Sequence, residues 1–172
     1  GRLRRAVERP DRAAQAEAIN LQDAVNNALY LLEPEFKKRE VSPHVALQQA
    51  SPVVMAEPIA LDQIIHNLLM NALQALDKVP AAERKLNLRL GSEGRTGVMT
   101  VSDTGPGIAP EVLPRIFEPF FTTREGGLGL GLSLCETLAT GMGGNLAAAH
   151  NTPRGAVFRL SLPLAGSEKK ST

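Results

Sequence analysis

Two asparagines four residues apart, Asn67 and Asn71, stand out within the clearest helical pattern of the chain. Positions separated by four residues share one face of a helix. Side-chain amides offer oxygen atoms to a hard cation and hydrogen bonds to water or phosphate. The spacing therefore suits a pair that faces a metal ion or a phosphate group. The alternative is a polar pair on the solvent side of an amphipathic helix.

A second candidate is the sequence DTGPG at residues 103–107, which directly follows a predicted strand. A carboxylate such as that of Asp103 can accept a hydrogen bond from an exocyclic amine, for example that of adenine. The two glycines would let the backbone approach a flat ligand closely. Asp and Gly are also common in ordinary turns, so a turn that binds nothing is the alternative.

A glycine-rich stretch, GGLGLGL at residues 126–132, is predicted to open a helix. Exposed N–H groups and the helix dipole make such a start a natural phosphate site. The stretch is not a P-loop, because no Gly-Lys-Ser/Thr follows it. It also lacks the third glycine and the later acidic residue of a dinucleotide-binding fingerprint.

Between these segments lies the sequence IFEPFFTTR at residues 116–124, with three of the chain's five Phe residues. It belongs to a stretch, 104–127, that is rich in Pro and Gly, and loops of this length are usually functional or disordered. We interpret it as a lid whose Phe side chains contact the core in some states; the alternative is a loop that they simply pin. Arg115 and Arg124 could reach phosphate oxygens, or remain solvated charges.

The elements that position these residues follow from the hydrophobic periodicity. The clearest helix covers residues 58–76, with Pro58 at its first position and a broad apolar stripe. Further helices are predicted at about 20–32 and 129–140, strands at about 41–49, 53–55, 85–90, 98–103, 145–149 and 156–162, a solvated charged stretch at 35–40 and a turn at 91–97. This order predicts an α/β (α+β) two-layer sandwich, with a mixed, mostly antiparallel sheet packed on about three helices.

The composition argues against several classes of function. The net charge is +1, so no long-range attraction to nucleic acid or anionic lipid is expected. No apolar run approaches the ~20 residues that cross a bilayer, and no secretory signal opens the chain. The single cysteine, Cys135, is expected to be a small core residue in a reducing compartment. The charged first residues suggest a cut from a longer protein.

The order, spacing and identity of these motifs resemble the histidine-kinase branch of the Bergerat-fold ATPases. In chain order they resemble that family's N box, G1 box, F box and G2 box, at residues 67–71, 103–107, 117–121 and 127–131. The resemblance covers about residues 20–164, and the N and F boxes are most similar to the nitrogen-regulatory and dicarboxylate sensors. It implies a linker or the end of an upstream dimerisation helix at 1–19, a catalytic ATP-binding domain with a long ATP lid at 20–165, and a flexible tail at 166–172.

ATP and Mg²⁺ are the ligands that the resemblance implies. Asn71 would ligate Mg²⁺ through its side-chain oxygen, Asn67 would support the metal, its waters or the phosphates, and Asp103 would hold the adenine amino group. The two asparagines would be the catalytic residues. The full expected ATP site is Asn67, Asn71, Asp103, Gly105, Gly107, Ile108, Phe117, Thr122, Thr123, Arg124, Gly127, Leu128, Gly129, Leu130, Gly131 and Leu132.

Three features of the sequence qualify this resemblance. Many family members carry Ser or Thr in place of Leu128 and a basic residue in place of Gln74, so some phosphate contacts are in doubt. Hydrolytic relatives carry Glu in place of Asn67, and an amide cannot act as a general base. The resemblance therefore favours transfer of the γ-phosphoryl group to a protein histidine. The alternatives are an ATPase without histidine transfer and a nucleotide-sensing binding module.

The resemblance also implies partners. Neither His44, His66 nor His150 is followed by the acceptor motif of the family, so the acceptor is expected on a histidine-containing dimerisation domain upstream. A cognate response regulator is expected downstream, with no nucleic acid and no direct membrane contact. The chain alone is expected to be a monomer and its parent a homodimer. The expected location is the cytoplasm, and an inner-membrane parent with this domain on the cytoplasmic side is also compatible with the resemblance.

Overall fold

A central β-sheet packed against helices forms the framework of the molecule. The computed structural model describes residues 15–121 and 131–166. Its helices are α1 (Leu21–Leu31), α2 (Glu33–Lys38), α3 (Pro58–Leu76) and α4 (Gly131–Gly141), with short 3-10 turns at Ala81–Glu83 and Leu113–Arg115. Its strands are β1 (Glu17–Asn20), β2 (His44–Leu47), β3 (Val53–Ala56), β4 (Leu86–Glu93), β5 (Thr96–Asp103), β6 (Asn145–His150) and β7 (Ala156–Pro163).

These strands form one five-stranded and one two-stranded sheet. The larger sheet has the order β2-β4-β5-β7-β6. In it β2 runs parallel to β4, and the other neighbouring pairs are antiparallel. The smaller sheet joins β1 and β3 in antiparallel fashion. A mixed, mostly antiparallel sheet packed on helices confirms the predicted fold class.

Helix α3 carries both asparagines and buries one face along its whole length. Pro58 occupies its first turn, and the Glu57 side chain caps it by accepting hydrogen bonds from two backbone N–H groups. The buried face consists of Ala60, Leu61, Ile64, Ile65, Leu68, Leu69, Ala72, Leu73 and Leu76. Burial of each Leu or Ile side chain stabilises the folded state by about 1.5–3 kcal/mol. The helix is therefore held firmly in the core and gives Asn67 and Asn71 a rigid support. The predicted bounds of this helix are confirmed.

Strand β4 shows how the sheet meets the helices. Leu86, Leu88 and Leu90 are buried, whereas Asn87 and Arg89 between them are exposed. This is the period-two alternation that the sequence predicts. The buried side joins a single apolar core to which α1, α3 and α4 also contribute.

The β4–β5 hairpin is longer than predicted. The sequence predicts a turn over residues 91–97, but only two residues separate the two strands. Glycine usually weakens a strand, yet here close neighbours require it. A Cβ on Gly91 would lie 2.1 Å from the Gln48 side chain, and one on Gly97 would lie 2.4 Å from Val54 Cγ1. These glycines therefore permit close packing, and the turn, at Gly94 and Arg95, is shorter than predicted.

The charged stretch 35–40 is a second correction. It is predicted to be solvated, but most of it lies in α2, which buries Phe36. Arg39 then donates hydrogen bonds to the carboxylates of Glu35 at 2.6 Å and Asp77 at 2.9 Å. The first of these bonds lowers the pKa of Glu35. The charges thus tie α2 to the end of α3, which no hydrophobic periodicity could reveal.

The chain also orders earlier than predicted. Strand β1 lies partly in the predicted linker, and its pairing with β3 means that the folded part begins before residue 20. The Asn20 side chain caps α1 by accepting hydrogen bonds from the backbone N–H groups of Gln22 and Asp23. The strand predicted at 41–49 is shorter, as β2. The remainder of the linker, residues 1–14, and of the tail, residues 167–172, lies outside the described residues.

No helix in the described part of the chain is long and apolar enough to cross a lipid bilayer.

Candidate functional site

The carboxylate of Asp103 lies buried at the end of β5, with only 1% of the residue exposed. Burial raises the pKa of Asp103 above its usual 3.8, and hydrogen bonds from the backbone N–H groups of Gly105 and Ala156 act in the opposite direction. The Gly105 nitrogen lies 2.9 Å from Oδ1. These donors orient the carboxylate, whose remaining lone pairs can still accept hydrogen bonds from a ligand.

A cavity of about 90 Å³ opens beside this carboxylate, and we call it the Asp103 pocket. It is lined by Asn71, Gln74, Ala75, Lys78, Asp103, Pro106, Gly107, Ile108, Ile116, Ala156 and Phe158. Apolar walls with a few convergent polar groups are typical of small-molecule sites. The arrangement suits a flat heteroaromatic ring whose exocyclic amine donates to Asp103.

Two predicted glycines let the segment after β5 lie close to its neighbours. A Cβ on Gly105 would lie 3.0 Å from both the Cβ and the carbonyl oxygen of Ala75, on α3. Gly107 has a φ of +84°, which L side chains rarely adopt, and a Cβ there would lie 3.1 Å from the Gly155 carbonyl oxygen. The two glycines therefore permit close contact with protein on both sides, and the predicted approach to a flat ligand stays a prediction.

A second pocket continues from the first toward the start of α4. It is lined by Asn67, Met70, Asn71, Gln74, Gly131 and Leu132, and we call it the Asn67 pocket. Asn71 and Gln74 border both pockets, so together they form one cleft. The structure thus brings both asparagines together with Asp103, Gly107, Ile108, Gly131 and Leu132, as the sequence predicts.

Asn67 is held from the side of α4. Its Nδ2 lies 3.5 Å from Sγ of Cys135, as a donor to the sulfur. Cys135 is fully buried, as predicted, and burial raises the pKa of its thiol. The thiol is therefore a neutral core group that fixes the Asn67 amide.

The polar groups of the cleft fit a magnesium–nucleotide complex. Within residues 15–121 and 131–166 no cluster of three or more His, Cys, Asp or Glu side chains could hold a metal ion. Magnesium, however, usually takes only one or two protein oxygens and fills its octahedron with phosphate oxygens and water. Asn71 lines both pockets, and a side-chain amide oxygen is a ligand of this kind.

In the Phe-rich segment, Phe117 contacts the core, as predicted, but it does not line the Asp103 pocket. Phe117 packs edge-to-face on Phe158, with ring centroids 6.3 Å apart, and Ile116 instead of Phe117 lines the Asp103 pocket. Phe120 is 75% exposed. Phe117 therefore supports the pocket through Phe158 and does not line it.

Arg115 is not directed at the cleft. It pairs with Glu118 at 3.1 Å and lies over the Phe121 ring, 4.8 Å from the centroid. It is absent from the lining of both pockets, so of its two predicted roles the surface one holds. The other predicted residues of this region, Thr122, Thr123, Arg124, Gly127, Leu128, Gly129 and Leu130, lie outside the described residues.

The sequence patterns do not predict several residues that line or support the cleft. Lys78 and Ile116 line the Asp103 pocket, and Asn151 donates a hydrogen bond to the Asp103 backbone. The spacing of Lys78, one turn beyond Gln74, is a signal that could have placed it. Nothing in the sequence marks Asn151 as a residue of the site.

The three histidines lie apart from the cleft. His44, His66 and His150 are all exposed, and none lines either pocket. His66 adjoins Asn67 in the chain but points elsewhere on the surface of α3.

Comparisons with known proteins identify a family to which the chain is similar. Residues 56–166 match the family described as histidine kinase-, DNA gyrase B-, and HSP90-like ATPase. A relative, the C4-dicarboxylate transport sensor protein DctS of Rhodobacter capsulatus, is 29% identical over 153 residues, which cover 89% of this chain and 23% of the relative. The chain spans between 15% and 31% of the length of the first three relatives.

Solved structures of histidine kinases have a similar fold. The catalytic domain of the histidine kinase ThkA has a TM-score of 0.77 at 27% identity, over 86% of this chain and 95% of that domain. ThkA has also been solved with the response regulator protein TrrA, with a TM-score of 0.70 at 25% identity over 86% and 41% of the chains. Full-length ShkA in complex with AMPPNP has a TM-score of 0.75 at 28% identity, over 87% and 31%.

Proposed function

The chain belongs to the histidine kinase-, DNA gyrase B-, and HSP90-like ATPase family, and from this premise we propose that it is the ATP-binding catalytic domain of a two-component sensor kinase. In this role it binds ATP with Mg²⁺ and donates the γ-phosphoryl group to a histidine on a dimerisation domain upstream. The observation that carries the proposal is the single cleft with a buried carboxylate at one end and two asparagines at the other.

The two ends of the cleft would take different parts of the nucleotide. Asp103 would accept a hydrogen bond from the adenine amine, and Asn71 would ligate Mg²⁺ with support from Asn67. The N-terminal turn of α4, at Gly131 and Leu132, would face the phosphates, where backbone N–H groups favour anions. When bound, Mg²⁺ would offset the negative charge of the phosphates during transfer. The roles of the residues from Thr122 to Leu130 stay predictions.

The chemistry of the cleft favours transfer over hydrolysis. Among the described residues that line it, Asp103 is the only carboxylate. Asp103 is buried at the base end of the cleft, which is the Asp103 pocket. The phosphate end, which is the Asn67 pocket, holds Asn67, whose amide cannot accept a proton from water. An acceptor imidazole needs no such base, because it is itself the nucleophile. The domain then acts mainly by positioning ATP and stabilising charge.

Two observations support the proposed partners. None of the chain's own histidines lines the cleft, and the relatives are much longer than this chain. We therefore assign the acceptor to the dimerisation domain of the same kinase, with a cognate response regulator downstream, as the ThkA–TrrA complex suggests. The chain would be monomeric and cytoplasmic by itself, and its parent homodimeric.

A phosphotransfer assay tests this proposal. The chain is mixed with the upstream acceptor domain of its parent and ATP labelled at the γ-phosphate. We expect acid-labile label on the acceptor, none on an acceptor whose histidine is replaced by Gln, and little phosphate release from the chain alone. Phosphate release without the acceptor would instead identify an ATPase. Nucleotide binding with neither product would identify a nucleotide-sensing module.

A further inference from the structure

The turn between β6 and β7, residues 151–155, touches the base end of the cleft at several points. Asn151 Nδ2 donates a hydrogen bond to the backbone carbonyl of Asp103 at 2.9 Å. Arg154 Nε donates to the carbonyl of the next residue, Thr104, at 3.2 Å. Two successive carbonyls are thus held by side chains of one turn, which fixes the direction in which the Asp103 side chain leaves the backbone.

The backbone of the same turn lies against Asp103. Gly155 has a φ of +109°, and a Cβ there would lie 1.8 Å from the Asp103 carbonyl oxygen. The next residue, Ala156, donates its backbone N–H to the Asp103 carboxylate. The turn therefore contacts the carbonyl and the carboxylate of Asp103 together, and any shift of the turn shifts both.

The turn is itself anchored on its outer side. Arg154 Nη2 lies 3.0 Å from a carboxylate oxygen of Glu83. The Thr104 hydroxyl donates to the Glu83 carbonyl at 2.7 Å and accepts from the Lys85 N–H at 2.9 Å. Arg154 thus joins the segment before β4, the segment after β5 and the turn before β7, three parts of the chain that no single element connects.

We propose that Asn151 and Arg154 are positioning residues that set the base selectivity of the Asp103 pocket. This inference rests on the proposed function and deepens it. Adenine presents an amine donor at the position where guanine presents a carbonyl acceptor. A carboxylate held in place attracts the amine of adenine and repels the carbonyl oxygen of guanine. Loss of the Asn151 or Arg154 hydrogen bond would allow the Asp103 carboxylate to move. Attraction to adenine and repulsion of guanine would then both weaken, and the preference for adenine would fall.

The test measures dissociation constants for non-hydrolysable ATP and GTP analogues by calorimetry, with melting temperatures alongside. Asn151→Ala is expected to weaken binding of the ATP analogue about fivefold, the worth of one buried hydrogen bond. Arg154→Ala is expected to weaken it about threefold, because its side chain is partly exposed. Neither change should weaken binding of the GTP analogue, and Arg154→Lys should restore part of the loss.

Arg159→Ala is the matched control. Arg159 lies on β7, in the same hairpin, and also pairs with a glutamate, Glu93. It contacts neither Asp103 nor Thr104 in the described structure, so its loss should leave the ratio of the two dissociation constants unchanged. A fall of that ratio in the Asn151 and Arg154 variants, but not in this control, supports selective positioning.

The inference is overturned if the Asn151 and Arg154 variants weaken both analogues by the same factor, or lower only the melting temperature. Asp103→Asn separates this outcome from failure of the proposed function. If Asp103→Asn abolishes the preference while Asn151→Ala leaves it intact, only the positioning role is wrong. If Asp103→Asn also leaves it intact, the assignment of the base pocket is wrong.

Discussion

The two ends of the cleft are built in different ways. At the base end, Asp103 is enclosed by backbone from the β6–β7 turn and by the N–H groups of Gly105 and Ala156. At the phosphate end, two half-buried asparagine side chains project from one long helix toward the start of α4. The base end is shaped by several contacts distant in sequence. The phosphate end depends mainly on two side chains whose spacing one helix sets, with one distant contact, from Asn67 to Cys135.

This difference indicates where specificity and chemistry reside. Pre-organised groups recognise a ligand without ordering cost, which suits the reading of a base. The phosphate end offers neutral amides, whose role requires a metal ion and phosphate oxygens to complete the coordination shell. Changes at the base end should therefore disturb the fold and the affinity for base, and changes at the phosphate end should disturb only binding of phosphates and metal.

The largest effect is expected from Gly155→Ala. The new Cβ would overlap the Asp103 carbonyl oxygen in a backbone conformation that alanine resists, so the free energy of unfolding should fall by about 3 kcal/mol. Gly141→Ala is the control, because nothing lies within 4 Å of a Cβ at that helical position. Urea denaturation of both variants measures the difference, and equal stabilities would contradict the account of the turn.

The contrast between the two ends also explains what the sequence could predict. Helix α3 is predicted correctly because its apolar stripe is periodic and Pro58 marks its start, so the spacing of Asn67 and Asn71 already places them on one face. The contact between Asn151 and Asp103 joins residues 48 positions apart. No local periodicity encodes such a contact, and it becomes visible only when the strands are paired.

The predictions for the charged stretch 35–40 and for the turn at 91–97 differ from the structure for a related reason. Helix α2 has a single buried apolar residue, Phe36, and is secured by Arg39 to Asp77 on a distant element. Gly91 and Gly97 suggest a longer turn than the one present, but each is required by a close neighbour outside the β4–β5 hairpin. Tertiary contacts therefore overrode local preference in both places.

Asp103→Asn should have the next largest effect. It removes a charge-assisted hydrogen bond to the adenine amine, so affinity should fall by about 2 kcal/mol, roughly 30-fold, for adenosine and for an ATP analogue alike. Titration of both ligands with the native chain and the variant measures this. An equal affinity for adenosine in the two proteins would contradict the role of Asp103.

The same residue predicts a pH dependence. Burial raises the pKa of Asp103 above 3.8, so the carboxylate protonates, and nucleotide binding weakens, at a higher pH than for an ordinary Asp. The ratio of native to Asp103→Asn affinity should fall as the pH decreases through this pKa. In the free protein the folded state binds the proton more tightly than the unfolded state, so stability should decrease as the pH rises from about 4 through the same pKa. Asp103→Asn should lack both dependences, and their persistence in the variant would assign them to another group.

The smallest effect is expected from Cys135→Ala. It removes the sulfur that accepts from Asn67 Nδ2, at the phosphate end only. Affinity for a magnesium–ATP analogue should fall about threefold, the worth of one weak hydrogen bond, and affinity for adenosine should not change. A loss of adenosine binding would show that the two ends are not independent.

The central claim is that one cleft binds the base at Asp103 and the metal-bound phosphates at Asn71. Calorimetry with a non-hydrolysable ATP analogue, with and without Mg²⁺, tests it on the native chain and on Asn71→Ala. The account predicts that the native chain binds the analogue more tightly with Mg²⁺, and that Asn71→Ala binds it about equally in both conditions while retaining adenosine affinity. A folded native chain that binds no adenine nucleotide, or an Asn71→Ala variant that keeps the full effect of Mg²⁺, would contradict it.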